Sequence, residues 1–175
     1  MFALRLGALV ALAVALSAQP KTKDVDGWDK IKWGMTIAQA RSIYAIEAQP
    51  EISDDWTLLN LHPVKVGNIE MGVQVGARYG SEKITLVRLW SFFGLPSSPP
   101  SAGPQDFDTL KAMLTREYGA PGSEETKRGE NFRLLKNVLW TFPSTSIVLS
   151  LEQSASLPNL GNIFLEYTAT DPNHQ

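Results

Sequence analysis

The run from residue 69 to residue 79 alternates without a break between apolar side chains and polar or small ones. Its apolar members are Ile69, Met71, Val73, Val75, Ala77 and Tyr79, and its other members are Glu70, Gly72, Gln74, Gly76 and Arg78. Successive side chains of a β-strand point to opposite faces, so this pattern predicts a strand with one buried and one outer side. We therefore expect a sheet that is covered on one face and open on the other.

Two other stretches carry helix signals. Thr36 followed by Gln39 matches a capping box, which predicts a helix from there to about Ile46. Pro104 predicts the start of a second helix, because the missing N–H of proline costs least in the first turn. Gly119 predicts the end of that helix.

Alternating or apolar runs predict the remaining strands at residues 56–61, 83–92, 132–142, 146–152 and 162–168. Together these elements predict an α+β fold with one antiparallel sheet of about six strands and two helices packed on one face. Neither three-stranded half would cover its own apolar side, so we expect the two halves to form a single compact domain.

The order helix, strand, strand, strand occurs twice along the chain, in residues 19–93 and again in residues 105–170. This repetition suggests a tandem αβββ duplication. Residues 94–104 between the two units have the proline, serine and glycine content of a linker. Residues 171–175 are expected to be a tail.

The spacing of matching residues supports the duplication. Tyr44 and Tyr118 end the two predicted helices 74 residues apart, and Ile84 and Ile163 lie 79 residues apart in the closing strands. The alternative is that two unrelated α+β halves share this order by chance.

Residues 1–18 have the composition of a secretory signal peptide. A single charge, Arg5, precedes the apolar run Leu6–Leu16, and the small residues Ser17 and Ala18 follow it. We expect the mature protein to be periplasmic or secreted, with no transmembrane segment. The alternative is a membrane anchor, although this run is shorter than the roughly 20 apolar residues that a span requires.

Composition excludes several kinds of chemistry. The chain has no cysteine, which excludes disulfides, thiol catalysis and thiolate metal sites, and it has only two histidines. Its 16 basic and 18 acidic residues give a net charge of −2, whereas a nucleic-acid partner requires a basic surface. We expect no nucleic-acid partner.

The candidate catalytic and metal-binding patterns are incomplete. His62 directly precedes Pro63, and the chain contains no G-x-S-x-G motif that would hold a nucleophile. Asp24, Asp26 and Asp29 resemble a calcium loop around Gly27, but the pattern requires a third acidic ligand before the glycine and a closing glutamate, and both are missing. We therefore expect no enzymatic activity, no metal and no cofactor.

Two short motifs resemble those of small exported proteins of the bacterial envelope. The string Gly34-Met35-Thr36 resembles the helix entry of the small β-barrel-assembly lipoproteins, and Leu114-x-x-x-Tyr118-Gly119-x-Pro121 resembles a helix exit in the same group. A tandem of helix-plus-strands units is similar to the secreted β-lactamase inhibitor protein, whose concave sheet face grips an enzyme. This chain lacks the anchoring cysteine of the lipoproteins and the disulfides of the inhibitor. The resemblance therefore implies a fold, and it assigns no binding residue.

The expected partner-binding surface is the outer side of the sheet. Glycine inside a strand often marks a close approach by another group, and Gly72 and Gly76 would leave a shallow trough between polar side chains. The alternative is that these glycines only permit the sheet to coil. The surface is expected to contain Glu70, Gly72, Gln74, Gly76, Arg78, Thr85, Val87 and Leu89.

These features predict an exported, non-enzymatic binding protein, either an envelope adaptor or an inhibitor-like protein, that engages a protein partner through the open face of its sheet. The expected partner is a protein or another envelope component. The alternative function is a periplasmic carrier of a small apolar ligand or lipid held between sheet and helices. A carrier would need a continuous cavity of roughly 300 Å³ or more.

Overall fold

A computed structural model describes residues 24–53, 55–91, 102–129, 134–153, 159 and 161–170. The predicted signal peptide, residues 94–101 of the predicted linker and the predicted tail lie outside the described residues. The elements, in chain order, are α1 (Ile37–Ile43), β1 (Glu51–Ile52), β2 (Trp56–Val66), β3 (Ile69–Arg78), β4 (Ile84–Ser91), α2 (Pro104–Tyr118), β5 (Ser123–Arg128), β6 (Leu134–Thr141), β7 (Thr145–Gln153) and β8 (Gly161–Ala169).

All eight strands belong to one sheet, with the order β1-β2-β3-β4-β8-β7-β6-β5. Each neighbouring pair is antiparallel. The first four strands and the last four therefore form two runs that meet where β4 pairs with β8. In this central ladder Leu89 lies opposite Leu165, and Arg88 lies opposite Glu166.

The prediction of about six strands with two helices packed on one face is wrong. The sheet has two further strands, β1 and β5, and in the described residues each half of the chain is one helix followed by four strands. Both residues of β1 and all six residues of β5 are exposed. Their side chains therefore show no alternation between buried and outer positions, and backbone pairing with β2 and β6 places them in the sheet.

One side of the sheet, which we call the covered face, holds the core. Its side chains alternate along the strands with those of the opposite side, which we call the open face. The buried side chains of the covered face include Met71, Val73, Val75, Val87, Leu89, Val138, Trp140, Ile147, Leu149, Leu151, Ile163, Leu165 and Tyr167.

The two helices are too narrow to bury this face alone. Eight strands, each about 4.8 Å wide, span about 38 Å, whereas two helices of about 10 Å diameter span about 20 Å. Residues 24–36, which we call the N-terminal strap, supply a third covering piece, and its Ile31 and Trp33 are buried in the same core. The helices contribute Ile37 and Ala40 from α1 and Phe107, Leu110 and Leu114 from α2.

Hydrogen bonds fasten the strap to the turn between β6 and β7. The Asp24 carboxylate accepts from the backbone N–H of Ser144 at 3.0 Å and from the Ser144 hydroxyl at 2.6 Å. The Trp33 indole N–H donates to Thr145 Oγ1 at 2.7 Å, and the Thr145 hydroxyl donates to the carbonyl of Val25. The strap therefore spans from the first half of the chain to the last strands of the second.

The helix starts follow the sequence signals. The capping box is confirmed: Thr36 Oγ1 accepts from the backbone N–H of Gln39 at 3.2 Å, and Gln39 Oε1 accepts from the N–H of Thr36 at 2.8 Å. Pro104 begins α2, as predicted. By contrast, α1 ends at Ile43, before the predicted Ile46, which is buried in the core beyond the end of the helix.

Leu114→Ala should lower the free energy of unfolding by about 2–5 kcal/mol, the usual range for removing a core leucine. Leu114 is buried on the inner side of α2, whereas its neighbour Met113 is 38% exposed. Met113→Ala is the matched control and should cost much less. Urea melts of the two variants measure the difference, and equal losses would contradict the orientation of α2.

Protonation of the Asp24 carboxylate should weaken its attachment of the N-terminal strap to Ser144. Its two hydrogen bonds from Ser144, the hydroxyl bond first, hold the pKa of the Asp24 carboxyl below its usual value. A lowered pKa in the folded state stabilises the protein above the usual carboxyl range, and this contribution is lost as the pH falls below about 4. Because Asp24 is exposed and solvent screens its charge, Asp24→Ala should reduce stability only slightly at pH 7, by less than about 1 kcal/mol.

The gap in stability between this variant and the wild type should narrow as the pH falls through the carboxyl range, because the wild type then loses the contribution of the Asp24 carboxylate. Chemical melts between pH 2 and pH 7 measure the gap between the two proteins. A gap that stays constant across this range would contradict the role of the carboxylate charge.

Candidate functional site

The predicted surface residues of β3 do share the open face. Across the β3–β4 ladder, Gly72 lies opposite Trp90, and Gln74 lies opposite Arg88. Directly opposed residues of an antiparallel pair point to the same side, so the alternate residues of β3 project there together. They are Glu70, Gly72, Gln74, Gly76 and Arg78.

The prediction that Thr85, Val87 and Leu89 of β4 lie on the open face is wrong. Val87 pairs with Val75 and Leu89 with Val73, so both belong to the covered face, where each is 0% exposed. Thr85 is also buried, beside the register shift in the β3–β4 ladder. The open face of β4 instead carries Leu86, Arg88 and Trp90.

Gly76 does not lie in an empty trough. A Cβ added there would come within 3.1 Å of Trp56 Cε3, 3.1 Å of Leu58 Cδ2 and 3.3 Å of Leu86 Cδ2. The glycine thus allows three large side chains from the neighbouring strands to close over one backbone position. The Arg78 guanidinium stacks over the Trp56 ring, 4.4 Å from its centroid, which extends this apolar patch towards solvent.

The open face has a concavity of about 400 Å³ over β4, β8, β7 and β6. Sequence reasoning missed this part of the surface, because its polar and apolar positions come from four strands that are distant in the chain. The concavity is lined by Arg88, Leu135, Asn137, Val148, Ser150, Glu152, Phe164 and Glu166. Leu135, Val148 and Phe164 are half-buried, so apolar area remains accessible to a partner.

The ion pair between Arg88 and Glu166 lines this concavity. The Arg88 Nε and Nη2 atoms donate to the same Glu166 oxygen at 3.0 and 2.9 Å. Their side chains are 43% and 34% exposed, so the pair adds at most about 1 kcal/mol to stability. Both groups retain hydrogen-bonding capacity towards solvent, because a guanidinium has five donors and a carboxylate about four lone-pair sites.

The candidate metal-binding and catalytic residues of the sequence do not come together in the described structure. In the part of the chain that the structure describes, no group of three or more His, Asp or Glu side chains is placed to hold a metal ion. The carboxylates of the calcium-like string diverge: Asp24 accepts from Ser144, and Asp29 accepts from the Tyr44 hydroxyl at 2.7 Å. His62 is exposed within β2, next to a register shift in the β2–β3 ladder.

A second recess lies on the covered face, between α2 and the end of β2. This groove has a volume of about 400 Å³ and is lined by Trp28, Asp29, Val64, Lys65, Val66, Leu89, Leu110, Met113, Leu114, Glu117, Tyr118, Leu165 and Tyr167. Burial raises the pKa of both the Tyr118 and the Tyr167 hydroxyls above the usual tyrosine value. Both hydroxyls are therefore neutral at physiological pH.

None of the described helices has the length and apolarity of a membrane span. Comparison with known proteins finds no matching family model, no matching curated protein and no matching solved structure. The resemblance to assembly lipoproteins and to the β-lactamase inhibitor protein therefore stays a prediction. The function has to be inferred from the geometry of the open face and of the groove.

Gly76→Val should lower the free energy of unfolding by about 1–3 kcal/mol, because it forces Trp56 and Leu58 away from a tightly packed position. Gln74→Val is the matched control on the same face of β3, where a Cβ is already present. Denaturant melts followed by tryptophan fluorescence report both variants. A Gly76→Val protein as stable as the wild type would contradict the close packing over this glycine.

Proposed function

We propose that the mature protein is an exported, non-enzymatic binding protein that engages a protein partner through the open face of its sheet. The observation that carries the proposal is the concavity of this face, where accessible apolar side chains surround the Arg88–Glu166 pair. Such a surface offers apolar contact area and oriented polar groups, and these are the components of protein interfaces.

The dimensions of the open face support a protein partner. Six long strands spaced by about 4.8 Å, each with about eight residues rising 3.3 Å, present about 29 by 26 Å, on the order of 750 Å². A standard protein–protein interface buries about 800 Å² per partner. The face is thus large enough for a stable complex.

The side chains on this face are also of the types that dominate binding energy. Tryptophan and arginine are enriched among interface hot spots. The open face carries Trp56, Arg78, Arg88 and Trp90, together with Phe164. The concave part fits a protruding loop that places an apolar side chain on Val148 and Phe164 and a polar group beside Arg88.

Site-specific photo-crosslinking tests the location of the interface. A photoreactive amino acid replaces Val148 on the open face, and a control protein carries it at Ala112, on the exposed side of α2. In the envelope of the source cell, the open-face protein should give a discrete adduct that the control does not give. The adduct identifies the partner for purification.

Direct binding with the purified partner then tests the surface. Val148→Arg should weaken binding at least tenfold, since it fills the concavity and adds a charge that docking would desolvate. Ala112→Arg adds the same charge on α2 and should leave binding unchanged. Equal affinities of the two variants would contradict the proposed interface, as would a catalytic activity abolished by one polar substitution on the open face.

A further inference from the structure

The β4–β8 ladder divides the open face into two halves that differ in shape. Four strands lie on each side of this ladder. The concavity of about 400 Å³ extends from the ladder over β8, β7 and β6. On the other side, Trp56, Leu58 and Leu86 close over Gly76 of β3. One half of the face therefore carries large side chains over its strands, and the other half carries the concavity.

Opposite charges meet at the boundary between these halves. Arg88 on β4 lies directly opposite Glu166 on β8, and their side chains are 43% and 34% exposed. Both hydrogen bonds between them end on one carboxylate oxygen of Glu166. A guanidinium has five N–H donors and a carboxylate about four lone-pair sites, so each group can take a second partner of opposite charge.

A two-fold axis that runs along the strands over this ladder makes the open face complementary to itself. Rotation about this axis puts β4 of one copy over β8 of the other and keeps each residue at its position along the strands. Because Arg88 and Glu166 are opposed in the ladder, Arg88 of each copy then faces Glu166 of the other. Trp90 and Phe164, which are opposed in the same ladder, face each other in the same way.

The same rotation puts β3 of one copy over β7 of the other. Gln74 then faces Val148, and Gly72 faces Ser150. Val148 and Ser150 line the concavity and are half-buried in the single chain. Strands β3 and β4 of each copy therefore cover the concavity of the other.

The charges also select the direction of the axis. A two-fold axis across the strands would put Arg88 over Arg88 and Glu166 over Glu166, and such like-charge contacts are unfavourable. The axis along the strands leaves Glu70 facing Glu152, two residues beyond Gly72 and Ser150 towards the strand ends. At the rim of the interface this repulsion is screened by solvent.

The area of the face matches that of a standard interface. With about 750 Å² on each copy, a dimer would bury on the order of 1,500 Å² in total, and standard interfaces bury about 1,600 Å². Two sheets that pack face to face lie about 10 Å apart with their strands about 30° from parallel. The open faces of two copies are therefore large enough to form a stable sandwich.

We propose that two copies of this chain pair through their open faces, with Arg88 of each copy bonded to Glu166 of the other. This proposal rests on the proposed function in one respect, namely that the open face is a docking surface. The dimer and a complex with another protein use the same side chains, so they exclude each other. The dimer keeps the apolar part of the face out of water until a partner displaces the second copy.

Charge reversal distinguishes a bond between copies from the bond within one chain. Arg88→Glu and Glu166→Arg each bring only like charges together at the centre of a dimer, so each variant alone should associate at least tenfold more weakly than the wild type. An equal mixture of the two variants restores opposite charges only between chains. The mixture should therefore form a heterodimer with nearly the affinity of the wild type, measured by sedimentation velocity over a concentration series.

The matched control reverses an ion pair on the covered side of the sheet. Lys111 Nζ lies 2.6 Å from a carboxylate oxygen of Glu124, whose neighbour across the β5–β6 ladder is the buried Val138. Lys111→Glu and Glu124→Lys should associate as the wild type does, both alone and mixed. Circular dichroism melts verify that each variant is folded.

Val148→Arg gives an independent test that leaves the ion pair in place. Its long charged side chain occupies the concavity that β3 of the second copy covers, so the variant should also associate at least tenfold more weakly. Ala112→Arg on α2 should associate as the wild type does. Equal association of these two variants would overturn the proposal.

The wild type itself should sediment as a dimer above micromolar concentration, because interfaces of this area have dissociation constants from micromolar downwards. A wild type that stays monomeric overturns the proposal, as do charge-reversal variants that dimerise alone or fail to recover when mixed. A photo-crosslinked adduct at Val148 with a different protein, together with a monomeric wild type, leaves the proposed function standing without the dimer. A dimer whose only Val148 adduct has twice the mass of the chain supports self-association and contradicts a different protein partner.

Discussion

The ladder between β4 and β8 is the interaction on which the rest of the structure depends. It joins a four-stranded run from each half of the chain into one sheet. On the covered face the ladder places Leu89 against Leu165 at the centre of the core, and on the open face it places Arg88 against Glu166. Separating these two strands would expose the apolar side of both runs, and neither run has enough cover of its own.

The width of the joined sheet then determines how its core is covered. Because two helices cannot span eight strands, the N-terminal strap becomes part of the tertiary structure, and Trp33 bonds to Thr145 across 112 residues of sequence. The chain has no disulfide to hold such a long-range contact, so packing and hydrogen bonds supply it.

The two edges of the sheet are protected by different means. β5 is a row of exposed and mostly charged residues, and Lys127 and Glu125 form an ion pair along it at 2.8 Å. β1 is only two residues long, and Pro63 interrupts the neighbouring β2 at a register shift. Short, charged or proline-containing edges resist pairing with other chains. Strand pairing of another chain with either edge is therefore disfavoured.

The amino-acid sequence by itself determined the elements with strong local signals: the alternating strand β3, the capping box at Thr36, and α2 between Pro104 and Gly119. It did not reveal β5, whose exposed, mostly charged residues show no alternation and join the sheet through backbone pairing with β6. Only the tertiary structure decided the orientation of β4, because both of its alternating sets contain large apolar residues, Leu86 and Trp90 in one and Val87 and Leu89 in the other. Pairing with β3 buries Val87 and Leu89 and turns Arg88 towards Glu166, and the concave site exists only because strands from both halves meet at that ladder.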